Sequence, residues 1–297
     1  MKTQDNQSKV AIVIPVYGRR DITLQGLRSL SRIDRTGLSV RIFVVDDASP
    51  DGTGEALRAA FPDVFVIEGS GDLHYAAGTN RGISAALEWQ PDFLLLANDD
   101  AVFHRSFLQC LVATAKDNPR SVVGSLLLLW NEPYKVFQVA PRWNTRAGGW
   151  VIPDDITIRN VAHSPLGVEA IVGNCVLVPR TAIEECGVLD EKKFPHGWGD
   201  AQFTVRLRNA GWQLLVDPNS RVWCEPNTNP MPLHEASFSE TLNVLVRDQR
   251  HPVNLRRQFV ARWESAPSGT KAVAAFTFYL ISMSKRAIRY RVRKNER

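Results

Sequence analysis

Over the first hundred residues, short uninterrupted apolar runs alternate with amphipathic stretches. "VAIVIPV" (10–16) has the pattern of a strand buried on both faces. "DITLQGLRSLSRI" follows it with Leu24, Leu27, Leu30 and Ile33 at helical spacing behind a candidate N-cap at Asp21. The alternation then recurs: "VRIFVVDD" predicts a strand, "GTGEALRAAF" a short helix, "VFVIEG" a strand, "GTNRGISAALEW" a helix and "DFLLLANDD" a fourth strand. Continuous apolar strands separated by helices predict a mainly parallel, twisted α/β sheet with helices on both faces. A helix over "RSFLQCLVATAKDN" and a strand over "SVVGSLLLLW" come next. The stretch from Trp130 to Ile158 reads as strands and loops, "VEAIVGNCVLVPR" as a strand, and "DAQFTVRLRNAGW" as a helix ended by Gly211. From Ser237 onward the pattern is helical. The expected division is a polar segment 1–9, an α/β domain 10–235 and a helical C-terminal extension 236–297.

Composition narrows the function classes. The chain has 297 residues, 44% hydrophobic and 23% charged, as in a soluble globular protein. Its four cysteines (Cys110, Cys175, Cys186, Cys224) form no CxxC pair, so neither a disulfide scaffold nor a zinc ribbon is expected. The beginning "MKTQDNQSKV" lacks the apolar core of a signal peptide, so a cytoplasmic protein is expected. The formal charge is +5, and residues 271–297 alone carry +7, which leaves −2 on the first 270. A nucleic-acid surface is therefore not expected on the main body. The tail "KAVAAFTFYLISMSKRAIRYRVRKNER" has an apolar run shorter than the ~20 residues a membrane span needs. A basic amphipathic helix of this kind suits the surface of an anionic membrane or a docked terminal helix, and the sequence leaves both open.

Candidate chemistry gathers at the ends of the predicted strands, where sheets of this class bind ligands. Pro15, Val16 and Tyr17 close the first strand, Asp46 and Asp47 the second, and Asn98, Asp99 and Asp100 the fourth. Adjacent carboxylates at the end of an apolar strand repel each other and cost desolvation, so they serve either a turn or a hard cation such as Mn²⁺ or Mg²⁺. Asp200 opens a helix after "HGWG", where an acid suits the helix dipole and also suits a general base. Trp130, Trp143, Trp150 and Trp198 fit either a core or a stacking wall for a ligand, and Trp198, beside Asp200, is the one favoured as a contact together with His196.

The order of these segments carries the most information. "IVIPVYGRRD", "VVDDASPDGT", "GDLHYAAGTNRGI", "LLLANDD", "VGNCVLVPR" and "GWGDAQFTVRLRNAGW" together resemble the family-2 inverting glycosyltransferases with a GT-A fold, over about residues 9 to 225. The resemblance implies a metal-dependent transfer of a sugar from a nucleotide-sugar to a hydroxyl of a glycan or lipid-linked glycan, in synthesis of bacterial surface polysaccharide of the O-antigen type. It implies a nucleotide pocket lined by Pro15, Val16 and Tyr17, with Asp46 and Asp47 at the base and His74, Gly78 and Asn80 along the donor. Asn98, Asp99 and Asp100 match the DxD position, with Asp100 as the metal ligand for Mn²⁺ or Mg²⁺, and Asp200 matches the catalytic base. Three positions depart from the pattern: Asn98 opens the DxD-like motif, Gly199 replaces the Glu before the base, and Cys224 and Glu225 stand where relatives carry a metal-binding His, with His234 farther on. An inactive carbohydrate- or nucleotide-binding relative is the alternative. A dinucleotide oxidoreductase is disfavoured because no GxGxxG follows the first strand, and a nucleotidyltransferase because "PVYGRRD" has no glycine-rich run.

Overall fold

The computed structural model describes residues 7–153, 155–195, 197–225, 237–248, 251 and 253–295. These residues group into two compact units, one formed by Met1–Ala140 with Pro153–Pro226 and the other by Pro141–Ile152 with Asn227–Arg297.

The first unit opens with β1 (Ser8–Val16), α1 (Arg20–Leu30), β2 (Leu38–Asp46), α2 (Thr53–Ala60), β3 (Phe65–Glu68), α3 (His74–Leu87) and β4 (Phe93–Ala97), the alternation predicted by the apolar pattern. It continues through β5 (Val102–Phe103), α4 (Phe107–Asp117), β6 (Ser121–Leu129) and β7 (Val136–Gln138). The second unit interposes a hairpin of β8 (Arg142–Asn144) and β9 (Gly149–Val151). The first unit then resumes with β10 (Leu166–Gly167), β11 (Cys175–Pro179), α5 (Arg180–Cys186), α6 (Gly199–Asn209) and β12 (Gln213–Cys224).

The sheet order is β10-β12-β6-β11-β4-β1-β2-β3. Strands β3, β2, β1 and β4 are mutually parallel, and β6 and β12 are parallel to each other. The reversed strand between the two groups is β11, antiparallel to both β4 and β6. Its beginning therefore lies at the rim where its parallel neighbours end, which brings Gly173 and Asn174 to the carboxyl edge of the sheet.

Successive residues of β1 serve opposite layers. Val10, Ile12 and Ile14 pack with Leu27, Leu30, Leu57, Phe107 and Leu111 of α1, α2 and α4. Ala11 and Val13 pack with Ala76 and Ile83 of α3, Ile183 of α5 and Phe203 and Leu207 of α6. The strands read as continuous apolar runs because both faces are covered, and each fully buried Leu or Ile contributes about 1.5–3 kcal/mol of transfer free energy.

Helix ends follow local chemistry. The cap of α1 is Arg19, two residues before the expected Asp21: the Arg20 N–H is taken by the Asp51 carboxylate at 2.9 Å, and Asp21 sits inside the first turn. Helix α6 ends as predicted, with Gly211 at φ +90°, its N–H on the Arg208 carbonyl and the Trp212 N–H on the Leu207 carbonyl, a Schellman closure.

In the second unit, α7 (Phe238–Leu242) leads through a turn of π-helix (Asn243–Arg247) to α8 (Leu255–Ser265) and α9 (Gly269–Asn295). Trp143 and Trp150 of the hairpin meet edge to face at 5.5 Å. Arg262 of α8 donates to the Gly148 carbonyl at 2.7 Å and lies over the Tyr279 ring at 4.1 Å. Burial lowers its pKa to about 10. Among the described residues no helix is long and apolar enough to cross a membrane.

Candidate active site

The carboxyl ends of β1, β2 and β4, the start of β11, the start of α6 and the end of β12 form one rim. At its β1 corner Pro15 pairs with Val45, Val16 is buried, and Tyr17 is 57% exposed above the sheet. Gly18, at φ +62°, turns the chain and donates its N–H to the Ser49 hydroxyl.

Both β2 acids are buried, and both hold turns. Asp46 accepts the Ser49 N–H at 3.2 Å. Asp47 accepts three backbone N–H groups, from Gly71 at 2.7 Å, Leu73 at 2.9 Å and His74 at 3.2 Å. Its carboxylate thus fixes the turn that launches α3. His74 opens that helix at φ +57°, and Gly78 lets it approach β1, since a Cβ there would lie 3.1 Å from the Pro15 side chain. Asn80 is held by the segment that follows α5: its amide donates to the Leu189 carbonyl at 2.9 Å and Glu191 at 2.8 Å, and accepts the Leu189 N–H at 3.0 Å.

At the β4 corner the Asn98 amide donates to Asn174 Oδ1, while its own Oδ1 is buried without a partner. Asp99 accepts Arg19 Nη1 at 3.1 Å, Glu225 accepts Arg19 Nη2 at 3.0 Å, and Asp100 Oδ2 lies 3.9 Å from the same nitrogen. Asp100 Oδ1 is buried and unpartnered. Burial pushes the Asp99 carboxyl up to about 6 against the pull of Arg19, with the neighbouring Asp100 adding to the rise. Burial raises Asp100 as well, again opposed by Arg19. The nearby Cys224 thiol is pushed up to about 12, mainly by burial.

Asp200 stands at the N-terminus of α6, behind Gly197 and Trp198, both at positive φ (+67° and +64°). Its Oδ2 accepts the Gly173 N–H at 2.6 Å. Tyr75 donates to the Gly173 carbonyl at 3.3 Å, and its phenol is held well above its ordinary pKa by burial and by the charge of Asp200. Gly199, in place of the usual Glu, sits against Phe194, whose carbonyl would be 3.1 Å from an added Cβ. The orientation of Asp200 is thus set by a backbone N–H from another segment. Trp198 is half-buried beside it, and His196 and His234 lie outside the described residues.

The residues suit a hard divalent ion in their chemistry: carboxylate oxygens converge, and one buried oxygen of Asp100 has no partner. Among the described residues no group of three or more His, Cys, Asp or Glu is placed to hold a metal alone. An ion here would complete its shell with phosphate or water oxygens. Sequence reasoning passed over Gly173, Asn174 and Arg19. "VGN" and "GRRD" stood in plain sight, but a backbone donor leaves no residue signature.

The model of the family described as "Glycosyl transferase family 2" matches residues 11–186, more than half of the chain. The chain belongs to glycosyl transferase family 2. The chain is 26% identical over 204 residues to N-acetylglucosaminyl-diphospho-decaprenol L-rhamnosyltransferase of Mycobacterium tuberculosis, from two strains. The match covers 62% of this chain and 66% of that protein, so the chain spans a little under two thirds of the curated relatives' length. Among solved structures it resembles GalNAc-T7 with UDP, GalNAc and Mn²⁺ (TM-score 0.59, 13% identity, 94% of this chain and 58% of that one). It also resembles S. aureus TarS 1-349 (TM-score 0.55, 15% identity, 92% and 70%). The TarS complex with UDP gives a TM-score of 0.55 at 14% identity. These likenesses establish the GT-A fold of this family-2 chain.

Proposed function

We propose that the protein transfers a sugar from a nucleoside-diphosphate-sugar to a hydroxyl of a polyprenyl-diphosphate-linked glycan, with inversion, in the synthesis of a bacterial surface polysaccharide. The observation that carries this reading is the Asp200 carboxylate, fixed on Gly173, on the same rim as the Asp99–Asp100 pair. The acceptor class is supported by the M. tuberculosis relative, which is named for a decaprenol-diphosphate-linked N-acetylglucosamine.

With Oδ2 anchored, Asp200 Oδ1 takes the proton of the acceptor hydroxyl. That oxygen attacks the anomeric carbon from the face opposite the diphosphate, one C–O bond forms as the other breaks, and the nucleoside diphosphate leaves with the bonding pair. Mn²⁺ or Mg²⁺, held by Asp100 with Asp99 beside it, would offset the charge that develops on the leaving diphosphate. Tyr17, Pro15 and Val16 line the nucleotide side; Asp46, Asp47, Gly78 and Asn80 build that wall through the turns and helix they hold, with His74 at its edge and Asn98 beside the acidic pair. Trp198 and His196 border the acceptor side.

The helix α9 supports a peripheral place on an anionic membrane at the cytoplasmic face. Val273, Phe278 and Ile281 are exposed on one flank of the helix, which also carries the exposed Lys285 ahead of the basic end of the chain.

Calorimetric titration of a panel of nucleoside diphosphates and nucleotide-sugars, with and without Mn²⁺, tests the reading on wild type, Asp100→Ala and Asp200→Asn. Mn²⁺-dependent binding of one nucleotide, lost in Asp100→Ala, is expected. Transfer should fall about 10²–10⁴-fold in Asp200→Asn with nucleotide binding kept. The Arg19 guanidinium inside the acidic cluster favours the second reading, an inactive binding relative. Nucleotide binding without transfer to any polyprenyl-linked acceptor would select it.

A further inference from the structure

Arg19 holds a place that neither the strand-end motifs nor the base accounts for. The chain is pinned on both sides of it: the Gly18 N–H is on Ser49 and the Arg20 N–H on Asp51. The Arg19 carbonyl accepts the Thr23 N–H and hydroxyl, at 2.9 and 2.8 Å. Only the side chain is left to vary, and it runs to the acidic pair. There it touches Asp99 and Glu225 and lies 3.9 Å from Asp100, so three carboxylates surround one guanidinium with a net charge of −2. Two of the three are about nine-tenths buried, yet the Arg19 side chain is 37% exposed. The second oxygen of Asp100 is buried with no partner at all.

One monovalent cation therefore sits where charge balance calls for more, and it sits there on a flexible stem with a route to solvent. We propose that Arg19 is a resident counter-ion that competes with a divalent cation for the Asp99–Asp100 pair, and that the donor diphosphate releases it. A diphosphate offers the guanidinium the same bidentate oxygen geometry that the carboxylates do. When the donor arrives, Arg19 exchanges carboxylate oxygens for phosphate oxygens, which leaves Asp99 and Asp100 free to hold a divalent ion that would offset their charge. Each ligand then removes an obstacle to the other, so binding of ion and diphosphate is mutually reinforcing, and the bare enzyme resists loading with metal alone. Arg19 acts as a positioning residue, and the inference rests on the metal-dependent reading above.

The test is calorimetric titration of the full chain with MnCl₂ alone, then with MnCl₂ at saturating UDP or dTDP, on wild type, Arg19→Gln and Arg19→Lys. Arg19→Gln is expected to bind Mn²⁺ alone about tenfold or more tighter than wild type, and the enhancement of Mn²⁺ binding by nucleotide is expected to shrink by a similar factor. Arg19→Lys keeps the charge without the bidentate grip and should fall between them; it serves alone if Arg19→Gln does not fold. Mn²⁺ affinity unchanged in the variants, with Mn²⁺-dependent nucleotide binding intact, overturns this inference and leaves the transferase reading standing. No effect of Mn²⁺ on nucleotide binding in any of the three proteins overturns both.

Discussion

Replacing Gly173 by Ala tests whether a backbone N–H sets Asp200, the proposed base. The backbone at Gly173 lies outside the left-handed region, so alanine adds no conformational strain there. Its Cβ would lie 2.5 Å from Asp200 Cβ, 2.8 Å from Asp200 Oδ2 and 2.9 Å from the Tyr75 hydroxyl. Ordinary contact begins near 3.4 Å, so Asp200 and Gly173 must separate by roughly 1 Å, enough to break the 2.6 Å hydrogen bond between them. A displacement of about 1 Å at a reacting group costs on the order of 10² in rate, or about 2.7 kcal/mol. The strain should also lower stability by about 1–3 kcal/mol. Steady-state transfer should therefore show kcat down about 100-fold with nucleotide affinity within about twofold of wild type, because the nucleotide wall is not touched. On an Asp200→Asn background the same substitution should cost almost nothing more, since the two act as a unit. A Gly173→Ala enzyme with kcat within about threefold of wild type would refute the anchoring argument, as would full additivity with Asp200→Asn.

Three further outcomes follow from other contacts. Asn80→Ala should lower stability by about 2–4 kcal/mol in urea melts, because it strips partners from the N–H and the carbonyl of Leu189; a loss below about 0.5 kcal/mol would show that water replaces them. In the metal-free protein the Asp99 carboxyl titrates near 6 against an ordinary 3.8. Between those values the folded state keeps a proton that the unfolded state has lost, so stability falls as pH rises through the window. Thermal melts across about pH 4 to 6 should show this slope in wild type and a weaker one in Asp99→Asn. Cys175 and Cys224 are buried and both pushed up to about 12 by burial, so at about pH 8 a thiol reagent followed by peptide mapping should label the half-buried Cys110 and Cys186 first. Labelling of Cys224 at a comparable rate would contradict its burial.

The layered sheet was legible because its signal is local and repeated: each strand is a continuous apolar run, and each helix buries one stripe on it. The end of α6 was legible for the same reason, since Gly211 is a local stop. The site was legible only as far as carboxylates mark themselves. Asp99, Asp100 and Asp200 stand out in the sequence, but the groups that orient them do not. Gly173 acts through an N–H that every residue but proline possesses, and it meets Asp200 only because β11 is reversed. Arg19 and Arg20 are adjacent and alike in sequence, yet the turn at Gly18 sends the first to Asp99 and the second toward Asp51. Asn80 reads as a polar residue in a donor-binding segment, but the helix periodicity places its amide against the Leu189 turn. The strands and loops read between Trp130 and Ile158 are there as β7, β8 and β9, but the tie of the hairpin to Arg262, more than a hundred residues after Gly148, left no local sign.

The reversed direction of β11 has a bearing on how such a protein can be rebuilt. Because β11 begins at the rim, the whole excursion that follows β6 is handed back to the sheet one peptide from the anchor of Asp200. Whatever that excursion becomes, through drift or through a deliberate graft from a relative, its last two residues must arrive in the same place. A chimaera spliced after Val172 inherits the host's anchor intact, with Gly173 and Asn174 travelling alongside β11. One spliced within β11 imports a foreign anchor and aims the host's carboxylate with it. Exchange of this excursion between such proteins therefore has a natural seam, and it lies two residues before the strand begins.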